Sequence, residues 1–310
     1  NVINIYIEKA IESMKLTNLK LQLASGAKAT FGVGEREFYV TEKIDGIRVV
    51  AIKQDDGSFK LFTRTGNELT GVIDVEYALA FEASTSLEVL DGELVADDVN
   101  GDSVEVYRTT QSRVKQKGYK LGLKFHIFDC ALKADDFFNQ QSNTPYTQRR
   151  AQLDKLTKSI AKSNTKFLEV APVLYHGNDQ QKAYDVFNKV VGRGGEGVIV
   201  NLAHAEYMFN RTDSVGKIKQ TYSSDGYVVA IHEGSGSNAG RLGSIEVTYK
   251  GDIVPIGVGF TDDQRQYFWE NPDELVGHIV EYEYTQSVAQ KVRFGRFIAV
   301  RDDKDDVHYE

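Results

Sequence analysis

The sequence predicts an α+β protein with two domains, a larger mixed domain over residues 1–221 and a smaller all-β domain over residues 222–310. Three observations predict this class. A chain of 310 residues is long enough for two domains of ordinary size. Helical and strand patterns alternate up to about residue 221. After that point, short strands with glycine-rich turns dominate, which is typical of a small barrel or sandwich.

The elements of the larger domain follow from local apolar periodicity. Residues 2–14 have the spacing of a short helix. Residues 48–53 and 59–64 form a predicted hairpin around an Asp-Asp-Gly turn. Further strands are predicted over residues 87–96, 124–132 and 197–202, and helices over residues 146–163 and from Asn178 or Asp179 to about residue 191.

The smaller domain is predicted to consist mainly of strands. These cover residues 226–231, 244–249, 253–259 and 277–284, with one short helix over residues 262–270. The polar stretch over residues 221–224 is a candidate hinge between the two domains.

Charge and composition limit the classes of function. The net charge is −8, and residues 221–310 contain 16 acidic and 8 basic residues, so contact with a nucleic acid would depend on local basic clusters. Cys130 is the only cysteine, which excludes an internal disulfide and fits a reducing compartment. The sequence has no apolar run of about 20 residues and no secretory pattern, which predicts a cytoplasmic protein.

A lysine within an acidic turn is the first candidate for chemistry. Lys43 lies in the segment Glu42-Lys43-Ile44-Asp45-Gly46-Ile47-Arg48. A lysine attacks phosphorus only as the free amine, and neighbouring cations such as Arg48, Lys217 and Lys219 would favour that form. The alternative is an ordinary solvated lysine beside an Asp-Gly turn.

Two glutamates next to apolar strands are candidates for binding a nucleotide or a metal. Glu93 follows Asp91-Gly92, where its carboxylate could bind a ribose hydroxyl or a metal, and Glu196 lies among three glycines before a strand. Lys217 and Lys219 alternate on a strand, so both would face one side, where they could bind a triphosphate. Taken singly, each could be a solvated surface group. Together they supply what phosphoryl transfer needs, and no Walker loop or dinucleotide fingerprint is present.

Six motifs in order give a resemblance to the covalent nucleotidyltransferases, which include ATP-dependent DNA ligases, RNA ligases and mRNA capping enzymes. The segment from Lys43 to Arg48 matches their K-x-D-G-x-R motif. Five later segments of this chain resemble the family's other motifs in the same order: Thr63-Arg64-Thr65-Gly66, Asp91-Gly92-Glu93, Phe128-Asp129, Glu196-Gly197-Val198-Ile199-Val200 and Lys217-Ile218-Lys219.

The C-terminal segment resembles that of DNA ligases in particular. Arg301-Asp302-Asp303-Lys304 matches the R-x-D-K ending of their last motif, and Gly295 stands where the family often has proline. The resemblance therefore implies a nucleotidyltransferase domain, ATP-grasp-like with antiparallel sheets and helices, followed by an OB-fold barrel. In size, the chain resembles the compact ligases of phages and some bacteria.

The resemblance also implies a reaction and its participants. Lys43 would take AMP from ATP, AMP would pass to a DNA 5′-phosphate, and the 3′-hydroxyl would displace it. The implied cofactors are ATP and Mg²⁺ or Mn²⁺, and the implied partner is nicked duplex DNA during replication or repair, with no obligate protein partner. Arg301 and Lys304 would orient the departing pyrophosphate when the OB domain closes over ATP.

Roles for individual residues follow from the same resemblance. The family often has an adenine-reading glutamate two places before the lysine, and Thr41 stands there, followed by Glu42. The implied nucleotide-binding residues are Thr41, Glu42, Lys43, Arg48, Arg64, Glu93, Phe128, Glu196, Lys217 and Lys219. The implied metal ligands are Glu196 and Glu93, and the implied DNA contacts are Arg64, Lys291, Arg293 and Arg296.

Three other functions share parts of this pattern. An RNA ligase uses the same first half, and an mRNA guanylyltransferase also ends in an OB domain. A non-catalytic OB-type nucleic-acid-binding protein would give Lys43 no role and would leave the ordered motifs unexplained. Labelling with ATP or GTP at the α-phosphate distinguishes these functions.

Overall fold

The structure is a computed structural model, and it describes residue 16 and residues 19–33, 37–82, 87–99, 103–131, 133–288, 291–293 and 295–307. The helix predicted over residues 2–14 lies outside these residues. The chain divides into two compact units, residues 1–218 and residues 219–310. None of the helices in the described ranges is long and apolar enough to cross a membrane.

The first unit is a mixture of helices and strands, which confirms the predicted α+β class. Its strands are β1 (Leu23–Gly26), β2 (Phe38–Glu42), β3 (Ile47–Lys53), β4 (Phe59–Thr63), β5 (Val89–Ala96), β6 (Leu123–Ala131), β7 (Leu168–Val170), β8 (Val173–Gly177), β9 (Gly197–Leu202) and β10 (Arg211–Lys219). Its helices are α1 (Ala27–Gly32), α2 (Ile73–Phe81), α3 (Ser103–Lys115), α4 (Ala134–Phe138), α5 (Tyr146–Ser163) and α6 (Gln180–Gly192).

Two five-stranded sheets organise the described part of this unit. One has the order β1-β10-β9-β2-β8 and the other β4-β3-β5-β6-β7. Strands β3 and β4 form the predicted hairpin, whose turn uses Gly57 at a φ of 85°. Helix α6 begins after Asp179, whose carboxylate accepts from the N–H of Gln181, so Asp179 is the cap of the two candidates.

Each sheet buries one core against helices. The second sheet packs Leu61, Leu90, Leu94 and Phe125 against Leu79 of α2 and Leu153 of α5. The first sheet packs apolar residues of its own, including Val40, Val198 and Val200, against Ala183 and Val190 of α6. Because side chains of a strand alternate between faces, the residues between these core positions face the opposite side of the first sheet.

The second unit consists mainly of strands, as predicted. They are β11 (Tyr222–Glu233), β12 (Leu242–Tyr249), β13 (Asp252–Ile256), β14 (Ile279–Tyr284), β15 (Gln286–Val288), β16 (Lys291–Arg293) and β17 (Arg296–Val300), with helix α7 (Asp262–Glu270) after β13. The main sheet has the order β13-β12-β11-β14-β17, and a single bridge joins Val258 to Arg296. Helix α7 starts with a capping box between Thr261 and Gln264.

The predicted hinge differs from the structure. Tyr222, Ser223 and Ser224 open β11 and pair with β14. Pairing with β14 supplies hydrogen-bond partners for the backbone of these polar residues. Local composition alone could not predict this pairing. Only Gln220 and Thr221 lie between β10 and β11.

Candidate active site

A cavity of about 510 Å³ in the first unit brings most of the predicted site residues together. Its walls come from both sheets, with β2, β9 and β10 contributing from one and β3, β5 and β6 from the other. The predicted residues that line it are Thr41, Glu42, Lys43, Arg48, Arg64, Glu93, Phe128 and Lys217. Lys219 lies on the same strand as Lys217 but does not line the cavity.

Lys43 follows directly on β2, and two contacts fix its position. Its backbone N–H donates to the carbonyl oxygen of Gly197 at 2.9 Å. Its Nζ donates to Oε2 of Glu196 at 2.5 Å, and both side chains are about three-quarters buried. The amine of Lys43 is therefore held at the wall of the cavity by the carboxylate of the predicted Glu-Gly motif.

Close packing explains why a glycine, Gly195, precedes Glu196. A Cβ at Gly195 would lie 2.5 Å from Cγ1 of Val190 and 2.8 Å from Oε1 of Glu42. Glu42 also pairs with Arg193 at the end of α6. The loop that carries Glu196 can thus approach the end of β2, just before Lys43, only without a side chain at residue 195.

Arg48 is fixed by a bidentate ion pair. Its Nε and Nη2 donate to the two carboxylate oxygens of Asp91 at 3.0 and 2.6 Å, and its Nη1 donates to the carbonyl oxygen of Gln22 at 2.8 Å. Tyr207 donates its hydroxyl to Oδ2 of Asp91 at 2.7 Å. Burial opposes the charge on Arg48, but the carboxylate of Asp91 outweighs it and raises the pKa of the guanidinium. The guanidinium also lies 5.3 Å from the ring centre of Phe128.

Glu93 is a buried carboxyl with an unsatisfied oxygen. Among the described residues, its Oε2 has no hydrogen-bond partner. Burial raises the pKa of Glu93 to about 8, although the nearby cations of Arg48 and Lys43 act in the opposite direction. Such a group gains a partner when a cation or a hydroxyl donor enters the cavity.

A separate cluster in the second unit contains Arg301 and Lys304. Arg301 donates from Nε and Nη2 to both carboxylate oxygens of Asp303 at 2.8 Å, and from Nη1 to Glu281 at 3.2 Å. Lys304 pairs with Oδ2 of Asp225, which is 4% exposed. Arg301 holds the pKa of Asp303 down at about 2. These two cations are therefore ordered by carboxylates of their own unit, not frayed at the end of the chain.

Comparison with known proteins places the chain in a family. The family model for the ATP dependent DNA ligase domain matches residues 17–219, and a model for the DNA ligase OB-like domain matches residues 233–301. The chain belongs to the ATP-dependent DNA ligase family. The predicted α+β ligase architecture with an OB-like second domain is thereby confirmed.

Individual ligases resemble the chain at moderate identity. A probable DNA ligase of Streptomyces avermitilis is 29% identical over 248 residues, which cover 76% of this chain and 46% of that protein. The chain spans about half the length of the curated ligases it matches. A solved structure described as Pmar-Lig_Pre has a TM-score of 0.76 at 23% identity and covers 92% of this chain and 68% of its own. A structure from a study of DNA binding by Lig E DNA ligases has a TM-score of 0.67 at 23% identity, covering 92% of this chain and all of its own.

Several lining residues of this ligase-family site were not predicted from the sequence. They include Gln22, Asn201, Tyr207 and Arg211, while Thr63 and Asp91 were predicted only as members of their motifs. Asp91 lies two residues before Glu93 on β5, and because it is only 1% exposed its carboxylate needs the partners that Arg48 and Tyr207 supply. Tyr207 and Asn201 carry no local signal, because the cavity brings together residues that lie far apart in the sequence.

The metal ligands and DNA contacts expected for this ligase-family chain stay predictions. Among the described residues, no three His, Cys, Asp or Glu side chains group into a metal site. Arg296 is exposed at the start of β17. The side chains of Lys291 and Arg293 lie outside the described residues.

Proposed function

We propose that this chain is an ATP-dependent DNA ligase that joins 5′-phosphate and 3′-hydroxyl ends at nicks in duplex DNA. In this proposal, residues 1–221 form the adenylation domain and residues 222–310 the OB domain. The observation that carries it is the amine of Lys43, held by Glu196 at the wall of a cavity large enough for a nucleotide.

The first step is transfer of AMP to Lys43. The Nζ atom attacks the α-phosphorus of ATP, a phosphorus–nitrogen bond forms, and the bond to pyrophosphate breaks. The amine must lose a proton for this attack, and the Glu196 carboxylate at 2.5 Å is within reach to accept it. Lys217 lines the same cavity and supplies positive charge for the phosphates.

Arg48 has a positioning task that its geometry makes specific. Asp91 binds both edges of its guanidinium, and Tyr207 fixes Asp91 in turn. These contacts hold the guanidinium in one orientation beside Phe128. A preorganised cation of this kind stabilises charge without reorganising during the reaction. The ring of Phe128 offers a stacking surface for the base.

The site fits a divalent cation through Glu93. Its unsatisfied, buried Oε2 is a hard oxygen donor, whereas the Glu196 carboxylate is engaged with Lys43. Glu93, joined by Glu196, would hold Mg²⁺ or Mn²⁺. The metal would supply positive charge to the phosphates of ATP.

The later steps need contact with DNA. After the first step, AMP passes from Lys43 to the 5′-phosphate, and the 3′-hydroxyl attacks that phosphate and releases AMP. Arg64, which lines the cavity, and Arg296, which is exposed in the second unit, are the described candidates for phosphate contacts. Lys291 and Arg293 complete the proposed set.

A substrate panel tests this function. The chain is given ATP and Mg²⁺ with a labelled duplex that has one nick bearing a 5′-phosphate. We expect joined DNA, and we expect none when the 5′-phosphate is missing or when GTP replaces ATP. Efficient joining of an RNA nick alone would indicate an RNA ligase. A covalent GMP adduct without joining would indicate a guanylyltransferase, and either result would overturn the proposal.

A further inference from the structure

Helix α2 is apolar on both of its sides. Asp74 and Glu76 are its only charged residues, and the other positions of the helix are apolar. One side, with Val75, Ala78 and Leu79, is buried in the core that the second sheet forms with its helices. Because a helix that is apolar all round is normally covered on all sides, the other side of α2 is expected to have a partner.

Three large side chains follow this outer side of α2. Ile73, Tyr77 and Phe81 are spaced four residues apart, so they form one stripe along the helix. They are 37%, 78% and 69% exposed. The two most exposed members are aromatic, and a continuous stripe of this kind differs from the single exposed apolar residues that are common on protein surfaces.

The loop before β6 enlarges the stripe at the N-terminal end of α2. The backbone N–H of Lys120 donates to the carbonyl oxygen of Gly71, two residues before α2, at 2.7 Å. Tyr119 and Leu121, on either side of Lys120, are both more than half exposed. Since a buried aromatic side chain covers about 150–250 Å², the five exposed side chains offer roughly 500 Å² of surface. A patch of that size is large for a monomer and often has a function.

Opposite charges lie at the two ends of the stripe. Asp74 belongs to the first turn of α2. At the other end, Ser159 of α5 donates its hydroxyl to the carboxylate of Glu82, directly after α2. Lys155 and Lys162 are exposed and lie one turn before and one turn after Ser159, so they flank this end of the stripe. In the part of the chain that the structure describes, neither Asp74 nor Lys162 has an ion-pair partner.

We propose that α2 of one copy of the chain packs antiparallel against α2 of a second copy, about a two-fold axis at Tyr77. Tyr77 is the middle member of the stripe, so this packing places Ile73 against Phe81 of the partner subunit. It also brings Asp74 towards Lys162 of the partner subunit. A two-fold interface uses the same surface on both copies and must be self-complementary, which the apolar stripe with opposite charges at its ends satisfies.

The interface would be weak and would lie away from the cavity. Two copies would bury about 1,000 Å² in total, the lower limit for a specific interface, so we expect a dissociation constant on the order of 100 µM. The side chains of Arg48 and Phe128 face the cavity, whereas α2 packs on the opposite face of the same sheet. The dimer therefore goes beyond the proposed function and does not depend on it.

Sedimentation velocity at increasing protein concentration tests the association. From about 1 µM to about 500 µM, the mean mass of the wild type should rise from that of one chain towards that of two. Tyr77→Ser removes an aromatic anchor twice in each dimer, so it should weaken association at least about tenfold. Tyr267→Ser, at an exposed tyrosine on α7, is the matched control and should associate as the wild type does. Equal melting temperatures of the variants and the wild type show that each variant is folded.

A charge exchange tests the antiparallel arrangement. Asp74→Lys should weaken association, and Asp74→Lys combined with Lys162→Glu should restore it. A wild type that stays monomeric up to the highest concentration, or a Tyr77→Ser variant that associates as the wild type does, would overturn the proposal. Failure of the double variant to regain association would overturn the antiparallel packing. No nucleotide or DNA is present in these measurements, so their outcome is independent of whether the chain joins nicks.

Discussion

The Nζ atom of Lys43 lies 2.5 Å from Oε2 of Glu196, a residue 153 positions away in the sequence. The contact joins the end of β2 to the loop before β9. It fixes the direction of the amine and provides an acceptor for its proton. Because catalysis depends on the alignment of the reacting atoms, the Glu196 carboxylate should matter for the rate of AMP transfer.

Replacement of Glu196 should therefore slow self-adenylation. We expect Glu196→Gln to lower the single-turnover rate at saturating ATP by roughly 100-fold, since a displaced nucleophile has an effect of about that size. Glu206→Gln, at an exposed glutamate, is the matched control and should keep the wild-type rate. A wild-type rate in Glu196→Gln would show that the ion pair is incidental to the reaction.

Glu93 should make the stability of the chain depend on pH. Its pKa is about 8 in the folded chain because of burial, against an ordinary value of 4.5. The folded chain thus binds this proton more tightly than the unfolded chain does. The contribution of protonated Glu93 to the free energy of unfolding is therefore complete below about pH 4.5 and is lost as the pH rises through about 8. With a metal chelator present, the melting temperature of Glu93→Gln should rise relative to that of the wild type as the pH increases from about 5 to about 8.5. A constant difference in melting temperature between the two proteins across that pH range would contradict the raised pKa of Glu93.

Phe128 should act on nucleotide affinity. The ring lines the cavity beside Arg48, and stacking on an aromatic ring contributes about 1–3 kcal/mol per base. Phe128→Ala should accordingly raise the KM for ATP by roughly tenfold or more, while Phe128→Tyr keeps most of the affinity. Phe81→Ala, at an exposed ring on α2, serves as the control. Equal KM values in Phe128→Ala and the wild type would place the base elsewhere.

Arg301 and Lys304 should affect the first step more than the last. Each is ordered by carboxylates of the second unit, and an incoming polyphosphate would have to share or replace these partners. We expect Arg301→Ala and Lys304→Ala to slow self-adenylation by about 100-fold, the size found when one preorganised donor is removed. Sealing of a nick that is already adenylated should change little. Lys250→Ala in the same unit should behave as wild type, and equal losses in both steps would exclude a role confined to pyrophosphate.

Much of the fold follows from local sequence patterns, whereas the contacts that hold the site residues in place do not. The hairpin of β3 and β4 and the helices α5 and α7 follow from turn residues and periodicity, because both act over a few positions. Helix α3, from Ser103 to Lys115, was not predicted, since its valines, threonines and serines have low helix propensity. The order of the motifs indicated Lys43 and Glu93, which line the cavity, whereas Glu196 does not line it and contacts Lys43 instead. The bond from Tyr207 to Asp91 spans 116 positions and joins the connection between β9 and β10 to strand β5 of the other sheet, so no local pattern predicts it.

The central claim is that Lys43 becomes covalently linked to AMP. The direct measurement is incubation of the wild type with ATP and Mg²⁺, followed by proteolysis and mass spectrometry of the modified peptide. We expect one AMP group on Lys43, and none in Lys43→Ala, whereas Lys60→Ala, at a lysine on β4 outside the cavity, should be modified normally. An AMP group on another lysine, or an adduct that persists in Lys43→Ala, would contradict the account.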